Sequence, residues 1–288
     1  MGKGLEATDH RHSVQSVSRA MMLLETLAED GAGWRLKDLA RRSGLSPSTV
    51  HRLLTTLEQR RFVQFDSQNA LWSVGRQAFS VGSAYGRRQN LLAPALPILR
   101  DLRDQTHETA NLGVFEDRSI TVIGQVESRE IMRAITRLGG AVPLVGSAMG
   151  KAVLASLPDE ALEVLVSRKD LRAMTPHSIV AMEQLRTRLV QVRADGFAVD
   201  DEEHHSGLRC VASPVVNHLG DVVGAISVSG LAIRLTPTRI AATGALTAQA
   251  GRRLSSLFSS SADASGAPFP AAWKPPSSDE RTVRHLSE

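Results

Sequence analysis

Residues 44–61, GLSPSTVHRLLTTLEQRR, restrict the fold more than any other part of the chain. Ser46 offers an N-cap oxygen, and Pro47 suits the first helical position, where its missing N–H would go unused. Val50, Leu53, Leu54 and Leu57 then recur at i, i+3, i+4 and i+7, one apolar stripe. At about 100° per residue, the opposite face carries Ser48, Arg52, Thr55 and Gln59 and no carboxylate. Such a helix needs backing, and the preceding sequence supplies it. Val17, Ala20, Met21, Leu24 and Leu27 space a helix over 16–29; Leu36, Leu39 and Ala40 space a short one that Gly44 stops. Two short helices joined by a tight glycine turn, the second small and basic on its outer face, form the helix-turn-helix pattern. FVQFD and ALWSV, flanking the polar loop 67–69, read as the β-hairpin called a wing.

This arrangement suits double-stranded DNA. A helix fits the major groove, its first turns reach base edges, and small hydroxyl side chains allow close approach. We therefore expect Ser46, Ser48, Thr49, His51, Arg52 and Thr55 at the DNA, with Arg41, Arg42, Arg60 and Arg61 as phosphate partners. Charge is distributed accordingly. Residues 1–90 hold 13 Lys/Arg against 8 Asp/Glu, whereas the remainder holds 21 against 22. A basic module beside a near-neutral one suggests nucleic acid at one end and a different ligand at the other.

The length, 288 residues, allows two domains. The single cysteine excludes an internal disulfide framework and fits a reducing cytosol. The opening MGKGLEATDHRHS lacks an apolar run of the signal-peptide kind, and no stretch approaches the roughly 18 apolar residues of a membrane span. The expected location is the cytoplasm. We expect a flexible N-terminus over 1–13, the winged helix-turn-helix over 14–75 and a helical connector over 76–95. A second domain follows over 96–258, then a disordered Ser-, Ala- and Pro-rich tail over 259–288 in which Phe269 and Trp273 stand out. The second domain mixes elements. After a helix over 91–108 come strands TANLGVF, SITVIGQV and IMRAITR. PLVGSAMGKAVLASL runs from a glycine-bearing loop into a helix, with further helices at 159–167 and 178–195. Strands at 197–201, 208–216 and 221–229 precede a last helix at 236–258. The hairpins imply an α+β fold with no Walker A motif and no GxGxxG.

Residues 200–210, DDEEHHSGLRC, gather four carboxylates, two histidines and the only cysteine. One reading is a metal centre serving a metal-dependent hydrolase, although the spacing matches neither HExxH nor CxxC. The other is a pocket. Ser227 and Ser229, two apart on a strand, share one sheet face. With Cys210, Asp200 and the backbone amides of 146–150 opening a helix, they could form a small apolar cavity fit for an organic acid.

The pieces SVSRAMMLLETL, LKDLARRSGLSPSTVHRLLTTLEQRRFV, PLVGSAMGKAVLASL and GFAVDDEEHHSGLRCVASPV, followed by AISVSG, occur in the order found in IclR-type (isocitrate lyase regulator) transcription factors. The chain resembles that family over about residues 14–258. The resemblance implies a winged helix-turn-helix, a linker helix and a GAF-like α/β effector domain, without a cofactor or catalytic residues. It also implies a homotetramer built as a dimer of dimers. The effector would be a glyoxylate- or pyruvate-like acid, held by the amides of Ser147 and Ala148 and by Asp200, Cys210, Ser227 and Ser229. Glu202, Glu203 and the two histidines would then be loop scaffolding. Three positions depart from the pattern: Arg61 stands where many relatives have glycine, Val145 where a histidine is common, and Trp72 where a basic residue or tyrosine is frequent.

Overall fold

The structure, a computed structural model, describes residues 14–29, 31–89, 91–116, 118–134 and 136–260. The expected N-terminal segment, and the tail with Phe269 and Trp273, lie outside the described residues, apart from 259 and 260, which close the last helix. The chain forms two compact units that divide between Tyr85 and Gly86.

In the first unit α1 (Gln15–Leu27), α2 (Leu36–Ser43) and α3 (Pro47–Gln59) precede β1 (Val63–Asp66) and β2 (Leu71–Val74). Gly44 takes φ +69°, the left-handed conformation that turns the chain out of α2 without a side-chain clash. Ser46 Oγ accepts the Thr49 N–H at 3.3 Å, so α3 starts where the Ser-Pro pair sets it. Leu23, Leu27, Leu39, Val50, Leu54, Leu57 and Trp72 form the core. The stripe of α1 differs from the expected one: Val17 and Met21 are exposed, and Leu23 is buried in their stead. β1 and β2 pair antiparallel with Phe65 opposite Trp72, their rings 4.7 Å apart. Trp34 and Trp72 exchange two backbone hydrogen bonds of 2.8 Å each, and Trp72 is buried. This tryptophan packs the wing against the helices.

α4 (Arg76–Gln89) spans the division, and α5 (Leu92–Thr106) opens the second unit. The strands β3 (Thr109–Glu116), β4 (Ser119–Val126), β5 (Ala141–Val142), β6 (Ala198–Asp201), β7 (Leu208–Val216) and β8 (Val222–Leu231) form one antiparallel sheet in the order β5-β4-β3-β8-β7-β6. Helices α6 (Ala148–Ala155), α7 (Asp159–Leu165) and α8 (Met182–Asp195) supply Val153, Leu154, Leu162 and Leu185 to a core that includes Ala198, Ala212 and Ala225. A separate core joins Leu99 and Leu102 of α5, and Leu254 of α9 (Pro237–Ser260), with Ile226 and Val228. Alternation along β8 therefore sends Ala225, Ser227 and Ser229 to the α6 face and Ile226 and Val228 to the other. The fold is α+β, as the hairpins implied.

The described residues of IMRAITR form no strand. Ile131 and Met132 are exposed, and the edge of β4 it would pair with is taken. The Val122 N–H donates to Gly140 O at 3.0 Å, the Gly139 N–H donates to Val122 O at 2.7 Å, and β5 completes the edge.

Candidate functional site

Register brings the polar residues of the second unit together. Asp200 of β6 lies opposite Cys210 of β7, which lies opposite Ser229 of β8. One row on, Ala198, Ala212, Ser227, Asn111 and Gln125 stand side by side across five strands. Directly paired residues of an antiparallel sheet share a face, so both rows look toward α6. Between the sheet and α6 is a cavity of about 210 Å³. Ser147, Ala148, Asp200, Cys210, Ser227 and Ser229 all line it. Val145, at the departure from the histidine pattern, is buried in the core and does not line it.

The start of α6 supplies donors. Ser147 caps the helix: its Oγ accepts the Gly150 N–H at 2.9 Å and donates to Pro143 O at 2.6 Å. The hydroxyl is thereby committed, while the N–H groups of Ala148 and Met149 precede the first intrahelical bond and have no partner within the helix. Gly150 allows this placement, because a Cβ there would meet Leu144 O at 2.1 Å.

The cavity wall is hydrogen-bonded in a chain. Gln125 Nε2 donates to Asn111 Oδ1 at 3.0 Å, Asn111 Nδ2 donates to Ser229 Oγ at 3.2 Å, and the Cys210 thiol donates to the same oxygen at 3.2 Å. Burial first, and then the charge of Asp200, push the Cys210 thiol up to about 12, so it remains protonated at neutral pH. Asp200 accepts the N–H groups of Glu203 at 2.8 Å and His204 at 3.3 Å. Burial raises its pKa to about 6, against the pull of Lys151 and of the Glu203 N–H. Beneath it, Lys151 is fully buried and paired with Glu203. Burial lowers the pKa of this lysine, and the Glu203 carboxylate opposes the shift.

Sequence reasoning missed several of these residues. Asn111 sat inside an apolar run, and only the register of β3 places it beside Ser227 and Ser229. His204 and His205, read as scaffolding, both line the cavity, and the buried Nδ1 of His204 has no hydrogen-bond partner among the described residues. Burial, and next the charge of His205, lower the pKa of His204 and favour its neutral ring.

The metal-dependent hydrolase reading is set aside. Each acid of the 200–210 cluster is already used: Asp200 on backbone N–H groups, Asp201 and Glu202 on Arg209, Glu203 on Lys151. Cys210 keeps its proton, and among the described residues no group of three His, Cys, Asp or Glu could hold a metal ion.

In the first unit Ser46, Ser48, His51 and Arg52 are exposed, and Thr49 and Thr55 are half-buried. Thr49, His51, Arg52 and Thr55 share a shallow groove with Gln15, Ser16 and Arg19 of α1, three residues that sequence reasoning did not single out. Arg41 and Arg42 are exposed and paired with Asp38 at 2.7 Å and Glu29 at 2.9 Å.

Residues 16–67 match the IclR helix-turn-helix domain, and residues 83–256 match the C-terminal domain of the bacterial transcriptional regulator IclR. The chain belongs to the IclR family. Its relatives include the acetate operon repressor of Salmonella typhimurium, 39% identical over 247 residues that cover 85% of this chain and 90% of that one. The transcriptional regulator BhcR of Paracoccus denitrificans is 37% identical and covers 88% of this chain and 90% of its own length. The crystal structure of the Thermotoga maritima IclR superposes with a TM-score of 0.72 at 26% identity, over 85% of this chain and 98% of that one. IclR proteins are DNA-binding, effector-responsive regulators of transcription rather than enzymes, and the units with these residues are the helix-turn-helix and the α/β domain described above.

Proposed function

We propose that this IclR-family regulator binds operator DNA through α3 and the wing, and that its effector is a small oxo or hydroxy carboxylic acid of glyoxylate or pyruvate type held in the cavity beneath α6. One observation carries the reading. Six residues from four elements converge on a cavity where amides without a partner in their own helix face hydroxyls, a protonated thiol and a carboxyl group whose pKa is near 6. The amides suit a carboxylate, and the hydroxyls and the Asp200 proton suit an oxo oxygen. The naming of one relative for an acetate operon is in keeping with a small acid.

Ser48, Thr49, His51 and Arg52 are assigned to base edges, and Ser46 and Thr55 to the flanking backbone. Arg41 and Arg42 are assigned to phosphates, because exposed ion pairs are weak enough, about 0–1 kcal/mol, to be exchanged for DNA. Two recognition helices have to engage two half-sites about one helical turn, or a multiple of it, apart, so the working form is a homo-oligomer; the dimer of dimers is carried over from the family resemblance. No described helix is long and apolar enough to cross a membrane, and cytoplasmic action is part of the proposal.

The test is operator capture. Full-length protein is mixed with its own upstream DNA and with scrambled duplex, each titrated with two- to four-carbon oxo and hydroxy acids. The expected result is preference for the native duplex, altered by at least one acid whose binding Ser229→Ala weakens about five-fold, the loss of one hydrogen bond to an uncharged oxygen. Equal capture of both duplexes overturns the DNA assignment. Indifference to every acid overturns the effector assignment.

A further inference from the structure

The cavity reaches beyond the space that a two- or three-carbon acid occupies. Its lining crosses the sheet from Asp200 on β6 to Val122 on β4, four strand spacings, or about 19 Å at about 4.8 Å each. An acid held by the start of α6, Asp200, Cys210 and Ser229 covers the β6–β7–β8 half. Past the polar Asn111 of β3, this end is lined by Val122 of β4, Val142 of β5, Ala134 and Thr136, and at its exposed rim stands Arg137.

This arginine differs from its neighbours in the same loop. Arg129 lies 3.7 Å from Asp104 and Arg133 lies 2.8 Å from Glu127. The Arg137 guanidinium has no hydrogen bond or ion pair among the described residues. Its backbone, in contrast, is pinned on both sides. Gln125 Nε2 donates to Thr136 O at 3.0 Å, and the Gly140 N–H donates to Arg137 O at 3.0 Å. A fixed backbone thus presents an uncommitted fork of donors at the far end of a cavity whose near end is suited to a carboxylate.

We infer that Arg137 forms a second anion subsite, and that the effector is a linear oxo diacid whose second carboxylate lies beyond a short apolar stretch. The guanidinium fork matches a carboxylate in bidentate fashion. The side chains of Val122, Ala134 and Val142 suit methylene groups. This inference rests on the acid reading of the cavity.

The experiment is calorimetry on the full-length protein with length-matched pairs: oxaloacetate against 2-oxobutyrate, and 2-oxoglutarate against 2-oxovalerate, with pyruvate as the reference. At least one diacid is expected to bind about ten-fold or more tightly than its monoacid partner, the factor that a charge-assisted hydrogen bond supplies. Arg137→Gln should abolish that preference and leave pyruvate binding unchanged, and Arg137→Lys should restore part of it. Monoacid binding without a diacid preference, or a preference that survives Arg137→Gln, overturns this inference alone. Binding of neither monoacids nor diacids overturns it together with the acid reading.

Discussion

Asp200 is buried beside the Lys151–Glu203 pair, the Cys210 thiol and the backbone of His204, and burial is the main reason its pKa rises to about 6. In the unfolded chain the same carboxyl ionises near its ordinary value of about 4. Between about pH 4 and about pH 6 the folded protein keeps a proton that the unfolded chain has released, so this group's contribution to stability falls as pH rises through that window. Asp200→Asn, which retains an acceptor for the Glu203 N–H, should be more stable than wild type by about 2 kcal/mol near neutral pH and lose that advantage near pH 4. Urea unfolding at the two pH values checks the sign. An anion bound beside Asp200 favours its protonated form, so acid binding should weaken above about pH 6 and be accompanied by proton uptake in calorimetry. Affinity that does not change with pH would remove Asp200 from contact with the acid. Legibility at this scale follows period and range. Ser227 and Ser229 were readable as one face because strand alternation is local. Asn111, His204 and Arg137 were not, since register and loop path bring them to the cavity.

At the scale of elements, helix ends were legible because their causes are local. Ser46-Pro47 starts α3, and Gly44 closes α2 with φ of +69°. IMRAITR misled because a strand also needs a free edge to pair with, and 139–142 already holds the edge of β4. The joint between α3 and the wing shows what a departure from the family pattern entails. Arg61, at a position where the resemblance leads us to expect glycine, adopts φ +61°, its N–H donating to Glu58 O at 2.8 Å and its carbonyl accepting the Gln77 N–H at 2.9 Å. The left-handed conformation costs a side-chain-bearing residue about 1–2 kcal/mol, of which the greater freedom of glycine in the unfolded chain cancels part. Arg61→Gly is therefore expected to stabilise the protein by about 1 kcal/mol, read as a higher denaturation midpoint. A lower midpoint would mean that the guanidinium holds the joint together.

For the whole molecule, a DNA-binding unit and an effector-binding unit on one chain make regulation a linkage problem. The factor by which an acid changes operator affinity must equal the factor by which the operator changes acid affinity. The DNA side carries its own check. Operator affinity should fall steeply with salt, and Arg52→Ala should lower the slope of log K against log salt by about 1 if Arg52 meets a phosphate, or leave the slope while relaxing sequence preference if it meets a base. An unchanged affinity and slope would take Arg52 out of the interface. The thiol of Cys210 has a consequence outside this linkage. It is the chain's only sulfhydryl, it sits against Ser229, and it stays un-ionised far above neutral pH. It is the thiolate, not the thiol, that attacks peroxide, maleimide and glutathione disulfide. The regulator should pass through oxidative stress with its sulfur unmodified and without interchain disulfides, reporting on metabolite supply alone.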